Sequence, residues 1–367
     1  MTLARRAAAK PQRGRGSVFA SLAPLWVLVA SCASAPAAER GPEPERGSEE
    51  SAPPAPAIPP EATTEAALEP AGVRGPFTEE LTLESAAYDE PGAPSAIVHA
   101  PPSFDPARPL RLVVFLHGWT GCARVLVHAG SVACRDGDRP REGWDLAGRF
   151  DEAGTDALFV VPQLAFLERN GHPGRFLERG HFRRFVEELL GALAPRLGPG
   201  KTPADVESVT LLAHSAGFET ALAILARGEL EVRNVVLFDA LYAGVEPLGE
   251  WALAGDDRRL VSLYTGSGRT ARQSRRLALR LSAALDASRV VFDPRAQRSD
   301  GRPTPAAVRR CRDAAAQRSE PCDRDAPLPS LVREARIVIA RSPAPHGQVP
   351  ARHLPELLTP LGLSTRE

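Results

Sequence analysis

The 367-residue chain predicts an α/β domain with a mostly parallel central sheet and helices on both faces. Short runs rich in Val, Leu and Ile recur at 110–116, 157–161, 206–213, 232–238, 260–264 and 335–340. Strands that are apolar at nearly every position are buried on both faces, as the strands of parallel sheets are. Helix-forming stretches at 143–153, 180–194, 216–227, 271–286 and 352–361 separate these runs, the alternation expected of crossover connections. No internal repeat interrupts the pattern, so residues 77–367 read as a single domain.

Ahead of that domain the chain has a different character. Arg5, Arg6, Lys10, Arg13 and Arg15 form a basic start, followed by an apolar run over 18–30. The run is short for a membrane span and is broken by Pro24. Its end, Val29-Ala30-Ser31-Cys32, resembles a bacterial lipobox, which implies a signal peptide over 1–32 and lipidation of Cys32. The alternative is a soluble secreted protein cut between 33 and 37. Residues 33–76 are Pro, Ala, Glu and Ser with few large apolar side chains. Such a segment buries too little surface to offset its ordering entropy and reads as a disordered tether. At about 3 Å per residue in an extended form it reaches on the order of 100 Å.

The folded part opens with two alternating runs, 77–83 and 95–100, that read as an antiparallel pair. Segments 163–180 and 294–330 do not fit the alternation. Both follow strands, which places them near the carboxyl edge of the sheet as lid, pocket or surface elements. Apart from Cys32 there are Cys122, Cys134, Cys311 and Cys322. An even number of cysteines in an exported chain favours disulfides, and Cys122–Cys134 with Cys311–Cys322 is the simplest of the possible pairings. Reduced structural thiols are the alternative. The 45 basic and 45 acidic residues balance, so net charge gives no argument for a nucleic-acid partner. No CxxC spacing or His/Asp cluster suggests a metal, and no cofactor is implied.

Within this frame, Val209-Thr210-Leu211-Leu212-Ala213-His214-Ser215-Ala216-Gly217 is an apolar strand running into a small-residue turn and then into a helix. That layout exposes a serine hydroxyl on a tight strand-to-helix elbow. Ala213 stands where the usual G-x-S-x-G pattern has glycine. An earlier strand, 110–116, ends in His117-Gly118-Trp119-Thr120-Gly121, and a late strand is followed by Ser342-Pro343-Ala344-Pro345-His346-Gly347. Together these motifs resemble serine hydrolases of the α/β-hydrolase fold, over nearly the whole of 77–367. The run around Leu116-His117-Gly118 is locally similar to exported polyester depolymerases and feruloyl esterases.

The resemblance implies Ser215 as nucleophile and His346 as general base, with the N–H groups of Trp119 and Ala216 as oxyanion donors. His117 is expected to stabilise its loop. His353 falls inside the last helical pattern, as a packed or solvated residue. His214 is expected to point away from the serine, and His99, His128, His172 and His181 have no comparable placement. The loop after strand 260–264, Thr265-Gly266-Ser267-Gly268, offers no carboxylate where this fold usually has one. Asp239, at the end of the preceding strand, is therefore expected to orient His346, with Asp293 as the alternative. The expected activity is carboxylic-ester hydrolysis through an acyl-enzyme, on a small-molecule or polymeric acyl substrate, by an enzyme lipid-anchored in a bacterial cell envelope. The alternatives are a peptidase or amidase with the same three residues, and a non-catalytic binding lipoprotein on the same scaffold.

Overall fold

The computed structural model describes residues 75–166, 171–285, 290–292 and 327–363. Cys32, residues 33–74 of the tether, Asp293, Cys311 and Cys322 lie outside the described residues. In chain order the strands are β1 Phe77–Leu81, β2 Ala96–Ala100, β3 Leu110–Leu116, β4 Ser131–Val132, β5 Arg141–Glu142, β6 Leu158–Pro162, β7 Val206–His214, β8 Val232–Phe238, β9 Arg259–Tyr264, β10 Val290–Phe292 and β11 Ile337–Arg341. Nine of them form one sheet in the order β1-β2-β6-β3-β7-β8-β9-β11-β10, and β4 and β5 make a separate small hairpin. β2 pairs antiparallel with both β1 and β6, and the remaining neighbours in the large sheet are parallel. The expected fold class and the antiparallel opening pair are both present.

Successive side chains of a strand point to opposite faces, and here each face has its own core. Leu112, Val114 and Leu116 of β3, with Val235 and Leu237 of β8, pack on one side. Helices His181–Ala192, Phe218–Arg227, Val245–Leu253 and Arg269–Ala284 cover that side through residues such as Phe182, Phe185, Ile224, Leu248 and Leu277. Val113 and Phe115 of β3, with Val236 and Phe238 of β8, pack on the other. Helices Leu146–Glu152, Leu328–Glu334 and Val349–Leu358 lie against them. Two-sided burial explains why the strands read as unbroken apolar runs.

Helix Val245–Leu253 and the short helices Ala123–Val127 and Leu328–Glu334 are additions to the elements expected from sequence. The described residues contain no helix long and apolar enough to cross a membrane.

Candidate active site

The loops that leave β3, β6, β7, β8, β9 and β11 meet at the carboxyl edge of the parallel strands, where open α/β sheets form ligand crevices. β7 enters this edge through His214, and Ser215 follows with φ +54° before helix Phe218–Arg227 begins. A serine in the left-handed region costs on the order of 1–3 kcal/mol and persists only where its surroundings impose it. Those surroundings are two glycine contacts. A Cβ on Gly217 would lie 2.2 Å from the Leu116 carbonyl oxygen, and one on Gly118 would lie 2.6 Å from Cβ of Ser215. The β3 loop and the Ser215 turn can touch only because both positions are glycine.

Asp239 follows β8, the parallel neighbour of β7, and is itself left-handed with φ +47°. Its Oδ2 lies 2.7 Å from Nδ1 of His346, a residue in the 3₁₀ turn before helix Val349–Leu358. The same carboxylate accepts the Thr265 N–H at 3.0 Å, the Thr265 hydroxyl at 2.5 Å and the Thr270 hydroxyl at 2.6 Å. Burial works to raise its pKa, but the hydrogen bonds from His346, Thr265 and Thr270 outweigh it and hold the group at about 2. The loop after β9, which carries no acid, thus supplies donors to the acid on the adjacent strand. An ionised Asp239 is acceptor-only, so the proton on the neutral His346 ring sits on Nδ1 and its lone pair on Nε2.

His214 turns toward His346. Its Nε2–H donates to the His346 carbonyl at 3.1 Å, and the two rings lie 4.7 Å apart between centroids. Trp144 meets the other side of His214 edge-on at 5.4 Å. Burial, reinforced by the neighbouring His346, lowers the His214 pKa to about 4, so the ring is neutral and available as that donor. The side-chain hydrogen bonds of His346 thus run to Asp239; none to Ser215 is present among the described residues. Ser215 lies near Tyr242, on the loop that follows Asp239, and its hydroxyl works against the burial that raises the Tyr242 pKa.

The β3 loop is clamped from several sides. His117 is buried, and its Nε2 accepts the Leu164 N–H at 2.9 Å while Nδ1–H donates to the Gly118 carbonyl at 3.0 Å. Burial lowers the pKa of His117 to about 4, so it is a neutral strut. Gln163 Oε1 accepts the Ala123 N–H at 3.0 Å, and Arg141 donates to the Thr120 carbonyl at 3.1 Å. Cys122 and Cys134 are joined by a disulfide. Trp119 is 53% exposed on this loop, and a Cβ on Gly118 would fall 3.2 Å from the Ala216 nitrogen. The backbones that carry the two expected oxyanion donors are therefore neighbours. Segment 163–180 also reaches the site, since a Cβ on Gly171 would overlap the Ala216 carbonyl oxygen at 1.9 Å.

A cavity of about 620 Å³ opens beside His346, lined by Thr265, Gly266, Ser342, Pro343, Ala344 and Pro345 among others. A second, of about 640 Å³, lies at the far end of helix Phe218–Arg227 against Arg179, Glu229 and Glu231. It shares no residue with the constellation around Ser215. Among the described residues no group of three or more His, Cys, Asp and Glu side chains is placed to hold a metal ion.

Ser215, Asp239, His346, Trp119 and Ala216, the residues expected from the sequence, all lie at this one edge. Thr265, Thr270 and the turn of His214 toward His346 were not expected. The nine-stranded, mostly parallel sheet in the order β1-β2-β6-β3-β7-β8-β9-β11-β10, with helices on both faces and a strained serine elbow after its central strand β7, marks one architecture. The chain has the α/β-hydrolase fold.

No protein-family model matches the chain, and no curated protein matches it by sequence. Solved structures similar to it include a feruloyl esterase module from Clostridium thermocellum complexed with sinapinate, at 11% identity and a TM-score of 0.44 over 79% of this chain and 88% of that one. An S-formylglutathione hydrolase from Agrobacterium tumefaciens aligns at 10% identity and a TM-score of 0.39 over 79% and 96%. A ferulic acid esterase aligns at 12% identity and a TM-score of 0.38 over 57% and 86%. At these values the fold assignment stands on the strand order and the elbow themselves.

Proposed function

We propose that this protein is an exported serine hydrolase that cleaves carboxylic esters through Ser215, His346 and Asp239. The observation that carries the proposal is the Asp239–His346 hydrogen bond at 2.7 Å, made at the edge where Ser215 is held in a left-handed conformation. A serine hydroxyl is a weak nucleophile until a base takes its proton. With Nδ1–H committed to Asp239, the Nε2 lone pair of His346 is the free base, and the reaction requires the Ser215 hydroxyl to hydrogen-bond to it. Hydrogen bonds of this kind are often open in unliganded sites and tighten when substrate binds.

Ser215 Oγ then attacks the acyl carbonyl carbon, and its proton passes to Nε2. The negative charge on the carbonyl oxygen is met by the Trp119 and Ala216 N–H groups, a pair worth about 10²–10³ in rate for each donor. Asp239 stabilises the imidazolium that forms. Collapse expels the leaving alcohol with the proton from Nε2, and water attacks the acyl-Ser215 ester by the same path in reverse. The cavity beside His346, lined by Thr265, Gly266, Arg341, Pro343, Ala344 and Pro345 among others, is the space next to the base for an acyl or alcohol group.

The test is turnover of a panel of p-nitrophenyl esters and peptide p-nitroanilides by the wild type and by Ser215→Ala. Ester hydrolysis lost in the variant supports the reading. Turnover of anilides without esters points to the peptidase alternative, and no turnover of either, with unchanged biological activity in Ser215→Ala, points to a binding protein. The basic start, the apolar run and Cys32 support export and lipid anchoring in a bacterial envelope, and the Cys122–Cys134 disulfide fits an oxidising compartment. Incorporation of a palmitate probe into the wild type but not into Cys32→Ser would support the anchor, and equal incorporation would refute it.

A further inference from the structure

A second chain of serine, histidine and carboxylate lies directly behind the loop that carries His346. Ser342 follows β11, and its Oγ is 2.8 Å from Nε2 of His353 on helix Val349–Leu358. Nδ1 of His353 hydrogen-bonds Glu356 one turn further along the same helix. Ser342 is 3% exposed and His353 6% exposed. The directions of these bonds follow from their ends. An ionised Glu356 only accepts, so Nδ1 of His353 carries the proton and Nε2 accepts from the Ser342 hydroxyl. That leaves the Ser342 oxygen to accept, and it takes the Ala344 N–H at 3.1 Å.

These residue types could describe a second nucleophile, but their setting excludes it. Ser342 has no left-handed backbone strain, it is closed off from solvent, and its oxygen is committed to a backbone N–H. The informative fact is which N–H that is. The loop reads Ser342-Pro343-Ala344-Pro345-His346, and its two prolines have no N–H to offer. Anchoring donors between β11 and His346 are therefore few. The Ser342 N–H goes to the Tyr264 carbonyl at 2.9 Å, and the Ala344 N–H goes to Ser342 Oγ. Together with the packing of Ala344 against the core on this face, the relay through His353 and Glu356 ties the middle of the loop to the body of the fold.

We propose that Ser342, His353 and Glu356 are positioning residues that hold the His346 loop in register with Asp239 and Ser215. The proposal rests on His346 being the general base of the proposed hydrolase. Misplacement of a catalytic group by about 1 Å can cost about 10²-fold in rate. Ser342→Ala frees both the Ala344 N–H and His353 Nε2, while Ser342→Thr keeps the hydroxyl and should restore function.

The experiment measures ester turnover and the low-field ¹H resonance of the His346 Nδ1–H, assigned with His346→Gln, in the full folded domain. For Ser342→Ala the expected result is a kcat lower by about 10- to 100-fold with KM changed by less than about threefold, recovered in Ser342→Thr. The His346 resonance is expected to shift or broaden in Ser342→Ala and to return in Ser342→Thr. A lowered melting temperature with kcat and the resonance both unchanged would show a purely structural brace and overturn the proposal. A fluorophosphonate adduct on Ser342 would overturn it in favour of a second nucleophile. If Ser215→Ala and His346→Gln keep full activity, the hydrolase reading fails. The resonance of the Ser342 variants then decides the positioning of His346 by itself, a moved signal supporting it and an unmoved one refuting it.

Discussion

Nδ1 of His346 and Oδ2 of Asp239 stand 2.7 Å apart across 107 residues of sequence, and the carboxylate that makes this contact is also gripped by Thr265 and Thr270. The pair is therefore oriented from both sides, with His346 fixed through its loop and Asp239 fixed through the strand next to its own. Asp239→Asn keeps the size of the side chain but removes an ionised acceptor, which favours the wrong imidazole tautomer. We expect kcat for ester hydrolysis to fall by about 10⁴-fold with the fold retained, read by steady-state kinetics alongside circular dichroism. Activity within tenfold of wild type would remove Asp239 from the assignment.

The depressed pKa of Asp239 also predicts an acid limb of stability. A carboxylate held at about 2 when folded, against about 3.9 unfolded, favours the native state in full above pH ~4 and ceases to do so as the pH falls through the folded value. Urea unfolding between pH 4 and 2 should show wild-type stability dropping more steeply than that of Asp239→Asn. Parallel curves for the two proteins would contradict the shift.

His117 and His214 predict a second slope at higher pH. Both are buried and neutral, with pKa values near 4, whereas an unfolded histidine titrates near 6.5. Between those values the unfolded chain binds the extra protons, so stability rises with pH across that window and flattens above it. Replacing His214 by Phe should reduce the slope by about one proton's worth. It should also cost about tenfold in kcat through loss of the donor to the His346 carbonyl, the equivalent of one hydrogen bond.

Gly118 has little tolerance for substitution. A methyl group there meets Cβ of Ser215 at 2.6 Å and the His214 carbonyl oxygen at 3.0 Å, so either the elbow or the β3 loop must shift. Gly118→Ala should lower kcat/KM by about 10²-fold or more while leaving the far-UV spectrum unchanged. A fully active Gly118→Ala would show that the two backbones are not in contact in solution.

The Cys122–Cys134 disulfide closes a short loop with a sequence separation of 12 and joins the turn behind Trp119 to the segment before β5. Chain entropy puts its contribution at about 2–3 kcal/mol. Reduction, or Cys122→Ser with Cys134→Ser, should lower the melting temperature and lower kcat by slackening the loop that carries Trp119. Calorimetry and ester turnover on the same samples check both effects.

The sheet was legible because two-sided burial writes itself into sequence as unbroken Val and Leu runs, and the positions of Ser215, Asp239 and His346 followed from where those runs stop. Helix Val245–Leu253 carries Pro247 and Gly249, two residues of low helix propensity that weaken its signal in the sequence. Pro247 sits in the first turn, where the missing N–H has no intrahelical partner to lose. The grip of Thr265 and Thr270 on Asp239 was hidden because hydroxyl donors leave no spacing signature, and the loop that carries Thr265 read as an empty acid position. The turn of His214 onto the His346 carbonyl, and the closure of Ser342 on His353, are tertiary contacts between distant elements. Sequence supplied the residues there but not the directions in which they point.

The proposed role of Ser215 as an activated nucleophile is tested by covalent labelling with a fluorophosphonate probe followed by peptide mass spectrometry. The expected result is a single adduct on the peptide containing Ser215 in the wild type, strongly slowed labelling in His346→Ala, and none at that peptide in Ser215→Ala. Equal labelling of wild type and Ser215→Ala, or an unlabelled wild type that still hydrolyses esters, would contradict it.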